Sequence, residues 1–244
     1  MKNQATLIIG ANSEIAKALA QQVNTRTDSQ LIVISRNNGF YVQEAFNQGI
    51  LITLENYHEQ DIKTAIESIT QHTDLDITQV FICHGILHNE RCHPEKRLED
   101  FSPSAFMEII TANTVTPMLW LKYLTPVLRG KHPCKVVIFN ARVGSISENK
   151  LGGWYSYRAS KAAMNMLIKS AAVELARRAK NIKLISFHPG TTDSPLSKPF
   201  QKNVPEGKLF QSEFVANQLL NIVENTPIDG EASYLDWQGE KIHW

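Results

Sequence analysis

The sequence places Tyr157 four residues before Lys161, in the stretch "GGWYSYRASKAAMN". Residues at this spacing lie one turn apart on the same face of a helix. A free phenol has a pKa of about 10, and a neighbouring ammonium favours the phenolate and lowers that value. Such a tyrosine can give its proton to a carbonyl oxygen while hydride reaches the carbon. This spacing by itself is more often found on a solvated helix surface. The surrounding elements must therefore show whether the pair is a proton donor with its activating lysine.

Short apolar runs alternate with longer amphipathic segments along the whole chain. Strands are predicted at residues 6–9, 31–35, 50–54, 79–83, 135–140 and 183–187, with "SYLDW" near the end as a further candidate. Helices are predicted at residues 13–23, 61–70, 103–128 (bent near Pro117), 155–179 and 212–225. This alternation predicts one α/β domain over residues 1–244: a doubly wound Rossmann sheet, mostly parallel, with about seven strands and helices on both faces.

The composition narrows the class of protein. The 244 residues carry a formal net charge of +1, which gives no electrostatic footprint for nucleic acid or an anionic membrane. Three irregularly spaced cysteines fit a reducing compartment. No signal peptide is recognisable, and no segment approaches the roughly 20 apolar residues of a membrane span. We therefore expect a cytoplasmic protein without nucleic-acid or membrane partners.

Two features favour a dinucleotide site at the carboxyl ends of the first strands. Gly10 follows the first strand in "GANSEIA", where Asn12 or Ser13 can cap a helix whose free N–H groups suit a pyrophosphate. A lone glycine after a strand is as often just a turn. Rossmann folds place an acidic residue for the 2′-hydroxyl of NAD after the second strand, but this chain has Arg36 there. An arginine can pair with a 2′-phosphate, which favours NADPH over NADH; the alternative is a solvated arginine.

With these motifs in order, the whole chain resembles the short-chain dehydrogenase/reductase family, in particular its C-factor-like and sniffer-like carbonyl reductases. The Tyr-x-x-x-Lys motif of that family falls on Tyr157 and Lys161. Its helical asparagine falls on Asn113 in "TANTVTP", and its Pro-Gly after the sixth strand on "PG" at residues 189–190. Ser194 takes the place of the threonine that meets the nicotinamide amide.

The resemblance implies a role for each matched residue. Tyr157 would donate the proton, Lys161 would hold the nicotinamide ribose and lower the pKa of Tyr157, and Asn113 would support a relay water. The residues expected to bind the cofactor are Gly10, Asn12, Ser13, Ile15, Ser35, Arg36, Gly85, Tyr157, Lys161, Pro189, Gly190, Thr192 and Ser194. The resemblance also implies a small carbonyl substrate, NADPH as the cofactor, and a homo-oligomer, either a dimer or a tetramer.

The chain departs from the family pattern at several positions. Glu14 replaces the second glycine of the glycine motif and puts a carboxylate near the expected pyrophosphate. "CHG" at residues 83–85 keeps only the glycine of the Asn-Ala-Gly motif of the family. Ala141 stands where the family has a serine that hydrogen-bonds the substrate carbonyl, and an alanine side chain cannot donate. Ser145 or Ser147, further along the same loop, or the amide of Asn140 is a candidate substitute for this donor.

Other constellations leave alternatives open. "CHGILHNERCH" concentrates Cys and His, but its spacing is wrong for C-x-x-C, so we expect no metal site. His188 can line the nicotinamide pocket or be a structural histidine. Residues 194–210 lack periodicity and are a candidate lid.

The leading hypothesis for function is an NADPH-dependent carbonyl reductase. The rival is a nucleotide-binding regulatory or signalling protein with little catalysis, which Ala141 and Glu14 motivate. A weaker third reading is a relic of the fold that binds no nucleotide. The reductase is expected to bind NADPH and to turn over a carbonyl substrate, the regulatory protein to bind NADPH without turnover, and the relic to bind no nucleotide.

Overall fold

Helices and strands alternate along the chain in the computed structural model, which describes residues 3–44, 46, 49–71 and 75–244. The strands are β1 (Asn3–Ile9), β2 (Ser29–Ser35), β3 (Ile50–Thr53), β4 (Leu75–Ile82), β5 (Cys134–Phe139), β6 (Ile182–His188), β7 (Thr191–Thr192), β8 (Leu209–Phe210) and β9 (Ala232–Asp236). The helices are α1 (Glu14–Asn24), α2 (Gly39–Gln43), α3 (Glu59–Thr70), α4 (Pro103–Ile110), α5 (Thr116–Leu128), α6 (Tyr155–Arg178) and α7 (Ser212–Asn225).

Seven of these strands form one parallel sheet in the order β3-β2-β1-β4-β5-β6-β9. The strand order reverses direction between β1 and β4, and parallel sheets of this type bind ligands in the crevice at the carboxyl ends of the strands near that point. Gly10, Arg36, Asn140 and Pro189 each follow the end of a different strand. The sheet therefore brings residues that are far apart in sequence to one edge.

Apolar side chains cover both faces of the sheet. On one face, β1, β4 and β5 pack against α3, α5 and α6, with Trp120 fully buried among them. On the other face, α1 and α7 cover the sheet, and Tyr41 of α2 is also fully buried. The strands are apolar on both sides for this reason, and the predicted doubly wound α/β fold is confirmed.

The long helix predicted at residues 103–128 is interrupted. A π-helical segment (Thr111–Val115) separates α4 from α5, so the irregularity surrounds Asn113 rather than Pro117. Pro117 lies in the first turn of α5, where proline is well accommodated. The short elements α2, β7 and β8 escaped prediction because two to five residues carry too little periodicity. Segments of π-helix are frequent at functional sites, which draws attention to Asn113.

Two absences apply to the described part of the chain. None of its helices combines the length and the apolar character needed to cross a bilayer. Nor do three or more His, Cys, Asp or Glu side chains converge there as a metal ion would require. The residues of "CHGILHNERCH" are spread out: His84 contacts Tyr57 and Trp120, whereas His88 contacts Phe200.

Candidate active site

Helix α6 brings Tyr157 and Lys161 to the carboxyl end of β5. Both side chains are buried, with 9% and 2% of their surface exposed. The Lys161 Nζ donates a hydrogen bond to the carbonyl oxygen of Phe139, the last residue of β5, at 3.0 Å. The same ammonium lies 5.7 Å from the centre of the Tyr157 ring. The pair therefore faces the interior of the site and is not a solvated helix surface.

Burial dominates the electrostatics of this pair. It raises the pKa of the Tyr157 phenol well above its ordinary value, and the Tyr234 phenol adds to the rise. Burial also lowers the pKa of the Lys161 ammonium to about 8. Desolvation therefore sets the direction of the shift at Tyr157, and the expected lowering of its pKa by Lys161 stays a prediction. Tyr157 keeps its proton at neutral pH, as a proton donor must.

The chain enters α6 through three consecutive residues in the left-handed region. Gly152, Gly153 and Trp154 have φ angles of 65°, 64° and 51°, and Trp154 is the one non-glycine residue in the described ranges with a positive φ. A bulky residue in this conformation is strained and is held by its surroundings. The turn places the Trp154 ring 6.2 Å from the Tyr157 ring and 5.0 Å from that of Phe200.

The buried Glu95 holds this turn and the first residues of α6. Its backbone oxygen accepts a hydrogen bond from the Trp154 N–H at 2.6 Å. Its carboxylate accepts the Ser156 N–H at 3.2 and 3.3 Å and the Ser156 hydroxyl. Trp154, the N-cap residue, has no side-chain oxygen to offer, so Glu95 satisfies helix N–H groups from another part of the chain. Sequence reasoning missed Glu95, since 61 residues separate it from Ser156.

Asn113 is fully buried in the π-helical segment. Its side-chain oxygen accepts the Ile86 N–H at 2.7 Å, and its amide donates to the Ile86 oxygen at 2.9 Å and to the Ser160 hydroxyl at 3.0 Å. Ser160 lies between Tyr157 and Lys161 on α6, so Asn113 connects the loop after β4 to the helix that carries both residues. A Cβ added at Gly85 would come 3.3 Å from the Lys161 Nζ and 3.7 Å from the Asn113 Oδ1.

The loop after β5 offers no hydroxyl to the site at residue 141. The Asn140 amide is committed: it donates to the Asn165 Oδ1 at 2.6 Å and to the Ser186 Oγ at 3.0 Å. The Ser145 hydroxyl accepts the N–H of Glu148 at 3.3 Å and contacts that of Ser147 at 3.4 Å. Asn140 thus lies at the site with its amide donors occupied. The Ser145 hydroxyl bonds within its own loop instead.

A cavity of about 350 Å³ adjoins Tyr157. No described residue is found bonded to the Tyr157 hydroxyl, which leaves it free for a ligand. The residues of the wall with polar groups include Asn140, Tyr157, His188, Thr192 and Ser194. The apolar and aromatic ones include Ile15, Leu87, Val143, Trp154, Leu196, Phe200 and Val204. The aperiodic stretch 194–210 supplies much of this wall. A larger cleft of about 630 Å³ between α7 and β9 contains none of the predicted site residues.

The turn after β1 requires glycine at residue 10. Gly10 has a φ of 70°, and a Cβ there would lie 3.1 Å from the His84 ring and 3.3 Å from the Cys83 backbone. Ser13 caps α1 by accepting the Ala16 N–H at 3.2 Å, and Asn12 beside it is exposed. The Glu14 carboxylate turns to Lys17, whose ammonium lies 2.8 Å away. Glu14 is therefore neutralised locally and does not prevent an anion from approaching the helix N-terminus.

Arg36 is exposed after β2. Its guanidinium lies 5.2 Å from the centre of the Tyr57 ring, a cation–π contact that fixes its direction without occupying all its donors. The Ser35 hydroxyl is buried and donates to the Asn37 oxygen at 2.9 Å, so it shapes this turn. An exposed arginine with free donors suits a phosphate group.

The remaining predicted cofactor residues fit a bound nicotinamide nucleotide. Gly190 has a φ of 73°, and a Cβ there would lie 2.7 Å from the Phe210 ring. The Thr192 hydroxyl is buried without a partner among the described residues, and Thr192, Pro189 and Ser194 line the same cavity as Tyr157. An unpaired buried hydroxyl is costly, so a ligand amide at this position would satisfy it.

The fold and this site define a dinucleotide-binding α/β oxidoreductase. A family model described as short chain dehydrogenase matches residues 4–205. The chain belongs to the short chain dehydrogenase family. The match covers every predicted site residue, including Tyr157, Lys161 and Asn113.

Curated relatives are distant. The chain is 24% identical over 241 residues to 1-hydroxy-2-glutathionyl-2-methyl-3-butene dehydrogenase of Rhodococcus sp. strain AD45, with 98% of each chain covered. It is 26% identical over 147 residues to the C-signal of Myxococcus xanthus, which covers 60% of this chain and 83% of that one. It is 22% identical over 253 residues to the (S)-benzoin-forming benzil reductase of Bacillus cereus, with 94% and 98% covered.

Solved structures share the fold over its full length. The NADPH-bound carbonyl reductase from chicken fatty liver has a TM-score of 0.84 at 18% identity, and all of both chains is covered. The carbonyl reductase Sniffer of D. melanogaster also has a TM-score of 0.84, at 19% identity and with the same coverage. At these identities the likeness shows the fold.

Proposed function

We propose that this protein is an NADPH-dependent carbonyl reductase. The observation that carries the proposal is the position of Tyr157, which lines a cavity one helical turn from the buried Lys161. Its hydroxyl bonds to no described residue, and burial raises the pKa of the phenol, so the phenol holds its proton at neutral pH. Membership of the short chain dehydrogenase family supports oxidoreductase chemistry. The exposed Arg36 after β2 supports NADPH over NADH.

The chemistry of the residues follows from their positions. NADPH, when bound, supplies a hydride to the carbonyl carbon of the substrate. Tyr157 hydrogen-bonds the carbonyl oxygen and transfers its phenolic proton to it, so the C=O bond becomes CH–OH and a phenolate remains. Lys161 stabilises that phenolate, because an ammonium near an anion favours the charged form. One proton from solvent restores the phenol in each turnover, with Asn113 positioning the path of that proton.

The cavity favours an apolar carbonyl compound. Its volume of about 350 Å³ would hold the nicotinamide ring beside Thr192 as well as the substrate, which limits the substrate to a small molecule. Trp154 and Phe200 form an aromatic pair beside Tyr157, and Leu87 and Val143 contribute aliphatic surface. Flat aromatic ketones, aldehydes and quinones would pack against these rings. The similarity to a benzil reductase supports the same substrate class.

The direct test is NADPH oxidation in the presence of a panel of carbonyl compounds. The panel includes benzil, substituted benzaldehydes, a naphthoquinone and, as small polar controls, acetaldehyde and acetone. We expect turnover with the aromatic members and a preference for NADPH over NADH. Absence of turnover across the panel would contradict the proposal.

A regulatory nucleotide-binding protein is the second candidate function. Ala141 in place of a hydroxyl donor and the similarity to the C-signal favour it. If the protein is regulatory, NADPH should bind, as measured by quenching of tryptophan fluorescence, while no carbonyl is reduced. The fluorescence titration and the turnover assay together separate the two functions.

A further inference from the structure

No side-chain donor of the described loop after β5 stands free in the cavity to replace the one that Ala141 lacks. Around Tyr157, the Asn140 amide is already paired and the Ser145 hydroxyl lies elsewhere. Ala141 lines the cavity but cannot donate from its side chain. A carbonyl oxygen bound at Tyr157 would therefore receive no second hydrogen bond from the side chains of Asn140, Ala141 or Ser145.

His188 lines the same cavity from the neighbouring strand. It is the last residue of β6 and lies opposite Asp236 of β9. Its Nδ1 is buried without a hydrogen-bond partner, whereas its Nε2 is absent from the buried unpaired atoms and bonds to no described residue. The Nε2 is therefore the ring nitrogen that is accessible, and the cavity is the space that His188 lines.

The unpaired Nδ1 identifies the tautomer. A buried N–H without an acceptor is rarer and more costly than a buried lone pair without a donor. The proton of a neutral imidazole at residue 188 therefore belongs on Nε2, which makes this nitrogen a donor. The ring stays neutral at pH 7, because burial and, to a lesser extent, the Arg142 guanidinium lower its pKa to about 4 against the opposing effect of Asp236.

We propose that His188 is a catalytic residue whose Nε2–H donates a hydrogen bond to the substrate carbonyl oxygen beside the Tyr157 hydroxyl. This proposal rests on the proposed reductase function and assigns to a histidine the polarising role that Ala141 cannot fill. A neutral imidazole stabilises the charge that develops on oxygen as hydride arrives, and it keeps its own proton throughout. Tyr157 remains the group that gives up a proton.

The position of the donor nitrogen can be tested by substitution. In His188→Gln the side-chain amide N–H₂ reaches the position of Nε2, whereas in His188→Asn the amide reaches only that of Nδ1. We expect kcat for benzil reduction to fall on the order of 100-fold in His188→Asn and His188→Ala, and His188→Gln to recover most of the wild-type rate. The dissociation constant for NADPH, measured by fluorescence, should not change. His93→Gln, at an exposed histidine outside the cavity, is the matched control.

A second variant separates catalysis from structure. Ala141→Ser returns a hydroxyl to the cavity wall, so His188→Ala combined with Ala141→Ser should regain part of the lost kcat. Equal rates for wild type and all His188 variants would overturn this proposal while leaving the reductase function intact. An equal fall in kcat for His188→Gln, His188→Asn and His188→Ala, without rescue by Ala141→Ser, would also overturn it. Failure of the wild-type protein to reduce any carbonyl would overturn both proposals.

Discussion

Gly144 lies directly against the backbone of Lys161. A Cβ added at residue 144 would be 2.8 Å from both the carbonyl carbon and the Cβ of Lys161. No Cβ tolerates such a distance to backbone, so α6 would have to move away from the loop after β5. The absence of a side chain at residue 144 therefore lets that loop lie directly against the helix that carries Tyr157 and Lys161.

Gly144→Ala should impair both stability and turnover. Inserting a methyl group into this packed contact should lower the free energy of unfolding by about 1–3 kcal/mol, because the overlap forces backbone movement. Shifting Lys161 should reduce kcat for carbonyl reduction as well. Urea denaturation and steady-state assays measure the two effects. Gly130→Ala is the control, since no atom lies within 4 Å of its added Cβ; similar behaviour of the two variants would contradict the contact.

Arg36→Ala should weaken NADPH binding selectively. A charge-assisted hydrogen bond to phosphate is worth about 1.5–3 kcal/mol, so KM for NADPH should rise on the order of 10-fold or more. KM for NADH should change little, because NADH lacks the 2′-phosphate. Arg129→Ala, at another exposed arginine, should leave both values unchanged. An equal loss of affinity for both nucleotides would exclude recognition of the 2′-phosphate by Arg36.

Glu95→Ala should destabilise the start of α6. Without the carboxylate, the Ser156 N–H and hydroxyl lose a buried acceptor, which costs about 1–3 kcal/mol. Glu95→Gln keeps one oxygen acceptor and should lose less. Thermal denaturation gives the stabilities, and near-ultraviolet circular dichroism reports the environment of Trp154. Glu99→Ala, at an exposed glutamate, is the control. Unchanged stability and spectra in Glu95→Ala would show that the hydrogen bonds from Ser156 to Glu95 do not stabilise the start of α6.

The buried Lys161 makes stability depend on pH. Burial lowers its pKa from 10.5 to about 8, so between these values the unfolded chain binds more protons than the folded one. Stability from this residue therefore rises with pH across that window. Relative to Lys161→Met, the unfolding free energy of the wild type should increase by on the order of 3 kcal/mol between pH 7.5 and 10.5. Urea denaturation at several pH values measures both free energies. If the difference between wild type and Lys161→Met did not change with pH, Lys161 would not be a buried group with a lowered pKa.

The fold was largely predictable because its strands are short, apolar and regularly separated by amphipathic helices. The positions of Arg36 after a predicted strand and of Lys161 four residues after Tyr157 marked both as candidate site residues. The parallel sheet brings the ends of β2 and β5, beside which these residues lie, to the same edge. Asn113 was identified from resemblance, and the π-helical segment around it gives a physical reason for its burial.

Other parts of the site depend on contacts that leave no local signal in the sequence. Glu95 acts on a helix 61 residues away. The aromatic wall joins Trp154 to Phe200 through a left-handed turn and an aperiodic segment. The raised pKa of Tyr157 comes from burial, which the spacing to Lys161 does not reveal. Such features arise only when the tertiary structure is formed.

Tyr157→Phe tests whether Tyr157 donates the proton in carbonyl reduction. Tyr155→Phe is the matched control, because Tyr155 is a partly exposed tyrosine two residues earlier on the same helix. NADPH oxidation with benzil should fall by about 100-fold or more in Tyr157→Phe, since general acid catalysis contributes 10²–10⁴-fold, and should stay at the wild-type rate in Tyr155→Phe. NADPH should bind both variants. Wild-type turnover in Tyr157→Phe would contradict the account.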